Sequence, residues 1–133
     1  MAENKIEQYL IELNYSYQEV KPNFWLLNDA EHDLEGMAIV YMEPLVIFRV
    51  QVMTVPGKNR EVFFRRLLEL NAGEMTHGAY GLEGDKVVIT SSLEYGTLDY
   101  EEFQATLDGI SLALTEHFPI LTVYRETPAS SKE

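Results

Sequence analysis

The chain has 133 residues, no cysteine and a formal net charge of −12. A chain of this length buries roughly two thirds of its unfolded surface without a staple, and the lack of thiols excludes a disulfide scaffold, thiolate metal sites and cysteine catalysis. The acidic field opposes nucleic-acid phosphates and anionic lipid heads and favours a basic or amphipathic polypeptide, although solubility alone also accounts for such a charge.

Met1-Ala2-Glu3-Asn4-Lys5 lacks the basic start and apolar run of a signal peptide. The apolar stretches Met37 to Met42 and Leu45 to Phe48 are far shorter than the ~20 residues that cross a bilayer. A cytoplasmic chain is expected, with one domain over residues 1–125 and a disordered tail over 126–133.

The first periodic segment is Glu3 to Asn14, where Ile6, Tyr9, Leu10 and Leu13 share one helical face. Ser16 to Val20 and Phe24 to Asn28 read as strands around the turn Lys21-Pro22-Asn23. Asp29 to Glu35 is a polar loop. Gly36 to Met42 and Leu45 to Thr54 follow as strands joined at Glu43-Pro44. In the second of these, alternation puts Val46, Phe48, Val50 and Val52 on a core face. Ile47, Arg49, Gln51 and Met53 then fall on a mixed, partly wet face.

Pro56-Gly57 ends the strand run, and Asn59 is the expected N-cap of a helix reaching about Asn71. His77 to Glu83 and Lys86 to Leu93 form a hairpin through Gly84-Asp85. Asp99 and Glu102 resemble a capping box that opens a final helix to about Phe118, where Pro119 should break it. The order is helix, three or four strands, helix, two strands, helix. That order predicts an α+β domain, an antiparallel sheet of about five strands with three helices against it.

In the final helix Tyr100, Phe103, Leu107, Ile110, Leu114 and Phe118 occupy an arc of about 80°, an ordinary one-sided stripe. The middle helix differs. Phe63, Leu67 and Leu70 form its stripe, and Phe64 with Leu68 widens the apolar arc to about 160°. Leaving Phe64 and Leu68 in water would forgo about 1.5–3 kcal/mol each. A second copy of the chain is the simplest cover, since symmetric homodimers dominate soluble oligomers. Coverage by another part of the same chain is the alternative.

Patterns that carry chemistry fail one after another. Val52 to Asn59 lacks both the leading glycine and the hydroxyl of a phosphate loop. Asp29, Glu31, Asp33 and Glu35 alternate, yet Leu34 and Val40 stand where a calcium loop needs Gly and Glu. His32, His77 and His117 have no histidine partner at helical metal spacing. Ser91-Ser92 lacks a nucleophile turn. Gly73, Gly78, Gly81 and Gly84 do not make a dinucleotide fingerprint. Trp25 and the tyrosines show no stacking pattern beside basic residues.

Phe63-Phe64-Arg65-Arg66-Leu67-Leu68-Glu69-Leu70-Asn71-Ala72-Gly73 is followed by His77-Gly78-Ala79-Tyr80-Gly81-Leu82 and by Leu98-Asp99-Tyr100-Glu101-Glu102-Phe103. Taken in order, these segments resemble the YbjN-like bacterial family, with similarity from about Ile6 to Phe118. The resemblance implies the fold of type III secretion chaperones, in which acidic homodimers hold an extended client. It brings no catalytic residue and no cofactor.

The leading expectation is therefore a non-enzymatic, chaperone-like or regulatory adaptor. Phe64 and Leu68 would make the dimer contact, and Ile47, Arg49 and Met53, or a free sheet edge, would meet a protein client. No metal, nucleic acid or membrane is expected as a partner. The competing expectations are a small hydrolase or metal-dependent enzyme using His77 with nearby carboxylates, and a scaffold component of a larger assembly.

Overall fold

A computed structural model of the protein describes residues 5–125. The tail expected over 126–133 and the first turn expected at Glu3 lie outside the described residues. Helix α1 (Lys5–Glu12) buries Ile6 and Leu10 and is followed by a turn at Asn14, whose φ of 65° takes the left-handed conformation that asparagine tolerates. Strands β1 (Tyr17–Lys21) and β2 (Phe24–Asp29) form a hairpin turned at Asn23 with φ 67°. One 3₁₀ turn, Ala30–His32, leads into β3 (Leu34–Met42), which pairs with β4 (Leu45–Thr54). Helix α2 (Arg60–Gly73), β5 (Ala79–Glu83), β6 (Lys86–Glu94) and helix α3 (Tyr100–Leu121) complete the order.

The strands make one antiparallel sheet in the order β1-β2-β3-β4-β6-β5, so there are six strands where about five were expected. The additional member is β1, and its hairpin with β2 supplies one edge of the sheet. One face carries Trp25, Leu27, Met37, Ile39, Phe48 and Ile89, all buried, in a single cluster with the buried side chains of α1, α2 and α3. Phe48 meets Phe103 of α3 at 5.7 Å between ring centroids, and Trp25 donates from Nε1 to Glu7 of α1 at 2.9 Å. Helix α2 borders β5, where Asn71 donates to the Tyr80 carbonyl and accepts from its N–H at 2.8 Å.

Three local expectations need correction. Asn59 precedes α2 but lies at φ 57° and makes no side-chain cap; its carbonyl accepts from Phe63 N–H instead. Pro119 does not end α3, which runs on to Leu121. Within a last turn proline forfeits a single intrahelical bond, and its fixed φ is already helical. The strand expected from His77 starts at Ala79, because Gly78 sits at φ 82° against the Thr90 carbonyl and the Ile89 side chain. The Asp99 cap is present, its carboxylate accepting from Glu102 N–H at 2.8 Å.

β3 keeps β2 beside it but loses β4 part-way along. Ala38 to Met42 pair with β4, whereas Leu34 to Met37 pair only with β2. Just before that point the β2–β3 register shifts around Gly36, with φ 72°, whose N–H is taken by Asn28 Oδ1 at 2.8 Å. β4 keeps its pairing with β6 down to Thr54 through a bulge between Gln51 and Met53.

Candidate functional site

An antiparallel sheet covered on one side normally alternates apolar with polar residues. Here β2 and β3 do not. Opposite the core face, register places Leu26 beside Ala38 and Phe24 beside Val40, with Ile47 next to Val40 on β4. All five are half-buried, and Met42 at the end of the same row is exposed. The buried helix residues cluster with the other face, so among the described residues no helix covers this one. The chain thus holds an apolar outer sheet surface of its own making.

Polar groups frame that surface. Arg49 and Glu83 join across β6, with Nε of Arg49 at 2.9 and 3.0 Å from the two Glu83 oxygens and Nη2 in still closer contact. The hydrogen bond raises the Arg49 pKa and lowers that of Glu83. Val88 lies between Gln51 and Gly81 on this face and is only 2% exposed, yet it stands outside the core cluster. Both partners of the ion pair are more than one third exposed, so solvent screens their attraction.

Ile47 and Arg49 therefore sit on the outer face, as alternation indicated, but Arg49 is occupied by Glu83. Met53 does not. The bulge inserts one residue into β4, pairs Met53 with Val87 and turns its side chain into the core, where it is 7% exposed. Phe24, Leu26, Ala38 and Val40 were missing from the expected surface. Their signal was the uninterrupted apolar character of β2 and β3, which fits strands with something on both faces.

On α2 the wide apolar arc is only partly enclosed. Phe64 is half-buried against Phe63, at 5.9 Å between centroids, while Leu68 is 66% exposed. The groups expected for chemistry are dispersed. His77 packs on α3 at Gly109, where a Cβ would come within 2.8 Å of its ring. His117 is buried and shares a 2.7 Å hydrogen bond with the Tyr80 hydroxyl; burial lowers the imidazole pKa and raises that of the phenol. His32 stacks on Tyr15 and lies 2.9 Å from Asp29. Burial pushes the Tyr15 pKa up to about 12, with help from Asp108 and Asp29. Burial raises the Asp29 pKa, but hydrogen bonds from Ser16 N–H and from His32 outweigh it and leave the carboxyl below its usual range. Among the described residues no group of three or more His, Asp or Glu is arranged to hold a metal ion. No helix among them is long and apolar enough to cross a membrane.

The family model CesT_Tir_1 matches residues 1–127. The chain belongs to the CesT_Tir_1 family. No curated protein matches the chain. Among solved structures, YbjN from E. coli is 19% identical with a TM-score of 0.62, over 86% of this chain and 90% of that one. A chain of the heterodimeric ExoU–SpcU complex from the type III secretion system of Pseudomonas aeruginosa is 15% identical with a TM-score of 0.70, over 92% and 99%. The HopA1–SchA chaperone–effector complex contributes a chain 10% identical with a TM-score of 0.58, over 90% and 89%. At these identities the likeness concerns the fold, which is the YbjN-like, type III chaperone-like arrangement that the sequence segments suggested.

Proposed function

We propose that this member of the CesT_Tir_1 family is a non-enzymatic, cytoplasmic binding module that holds a polypeptide client on its outer sheet face. The observation carrying this reading is the apolar row Phe24, Leu26, Ala38, Val40 and Ile47, which no described element of the chain covers. Structures of the same fold come from an ExoU–SpcU heterodimer and a chaperone–effector complex, which supports a protein as the ligand class. The charge of −12 adds attraction for basic clients. Phe64 and Leu68 are assigned to a homodimer contact on α2, apart from the client face. The dispersed histidines favour this reading over an enzyme built on His77.

Affinity capture from cell lysate with the wild type and an Ile47→Asp variant, followed by mass spectrometry, tests the reading. One reproducible set of proteins, retained by the wild type and lost by the folded variant, is the expected result. Equal capture by both would reject the outer face as the client site.

A further inference from the structure

The sheet has a third edge, inside it. Where β3 leaves β4 beyond Ala38, β4 continues from Val50 to Thr54 paired to β6 alone, so its other side has no strand neighbour. Alternate residues of a strand aim both N–H and C=O to the same side. Several backbone groups of β4 therefore point into the gap, along about 16 Å of strand at about 3.3 Å per residue. The gap is open. A cavity of about 530 Å³ occupies it, with Asp33 and Glu35 on the β3 side, Val50 and Gln51 on the β4 side, and Leu114 with Phe118 of α3 as floor. That volume is within the roughly 300–1,000 Å³ of binding clefts. Phe118 is 59% exposed although it stands beside the core. A second hollow continues past Val52 and Met53 to Arg125.

We propose that this internal edge of β4 is a docking site for an extended segment of a partner polypeptide, added to the sheet as a strand between β3 and β4. Main-chain hydrogen bonds to Val50–Thr54 would supply the affinity, as in other strand-addition sites. The walls select the segment. Its apolar side chains rest on Leu114 and Phe118, and lysine or arginine faces Asp33 and Glu35. The proposal rests on the protein-binding reading and adds a second site, distinct from the outer face.

The test titrates the ¹⁵N-labelled full chain with an acetylated, amidated octapeptide of alternating valine and lysine. Two further versions carry N-methyl groups on the valine or on the lysine amides, because only one phase can aim its N–H groups at β4. The expected result is slowed hydrogen exchange and shifted amides at Gln51–Thr54. Binding should weaken at least tenfold for one methylated version and for Glu35→Lys, whose spectrum away from the cleft stays that of the wild type. Equal binding by both methylated versions would overturn the proposal. Shifts confined to Ala38, Ile47 and Arg49 would overturn it too, while leaving the outer-face reading standing. No shift at any residue also overturns it, and the capture experiment then judges the protein-binding reading by itself. If removing residues 126–133 alone speeds exchange at Gln51–Thr54, the edge belongs to the chain's own C-terminal segment and the proposal falls.

Discussion

Tyr80→Phe removes one oxygen from the buried junction of β5 and α3 and leaves the rest of the packing in place. His117, 3% exposed, loses its 2.7 Å partner. An unpartnered buried polar group costs about 1–3 kcal/mol. The regained burial of the ring offsets none of this, since the ring is unchanged, so a loss of about 1–2 kcal/mol is expected. For a chain of this size that corresponds to a fall in Tm of roughly 3–8 °C.

The pH dependence of the wild type supplies a second reading of the same site. Burial lowers the folded pKa of His117 below the ordinary imidazole value, so the unfolded chain binds the proton first as pH falls. The stabilisation from a neutral His117 is complete above about pH 6.5 and is lost as pH falls toward the folded pKa. Thermal unfolding followed by circular dichroism, for wild type, Tyr80→Phe and His117→Gln, measures both effects. Loss of Tm in Tyr80→Phe above that pH, and a shallower acid decline in His117→Gln, are expected. An unchanged Tm in Tyr80→Phe would refute the reasoning that the two buried groups depend on each other for their hydrogen bond.

Asp29→Ala leaves Ser16 N–H without its 2.6 Å acceptor and uncaps the following turn, so a loss of about 1–3 kcal/mol is expected in urea unfolding. Because the folded pKa of Asp29 is lowered, its contribution is present above about pH 3.9 and disappears as pH falls through the folded value; the variant should lack that acid limb. Gly78→Ala puts a Cβ 3.0 Å from the Thr90 carbonyl at φ 82°, which predicts a cost of at least about 1 kcal/mol by thermal denaturation. Light scattering at tens of micromolar should find a dimer for the wild type and a monomer for Phe64→Asp with Leu68→Asp; an unchanged dimer in that variant would move the contact off α2.

The helices and hairpins were legible because each depends on local signals: apolar stripes at helical spacing, Asn23 and Gly84 in turns, Asp99 at a cap. The features that were not legible depend on pairing between distant segments. The bulge that turns Met53 inward exists only in the register of β4 against β6, and strict alternation along one strand cannot reveal it. Pro119 misled for a related reason, since whether a proline ends a helix depends on how many bonds remain beyond it. The outer face was half legible. Phe24-Trp25-Leu26-Leu27 and Met37 to Met42 show no polar alternation, but only the register of β2, β3 and β4 brings Leu26, Val40 and Ile47 together. The gap between β3 and β4 left no such trace beyond Gly36, because a strand that loses one neighbour reads like any other strand.

A photo-crosslinking residue at Ile47, with another at Glu101 on the exposed side of α3 as control, puts the central claim to its most direct measurement. Illumination in cells should join Ile47 to a polypeptide other than this chain, and Glu101 should give no such product. Products at Ile47 that contain only a second copy of the chain would make the outer sheet face a self-association surface and contradict the account.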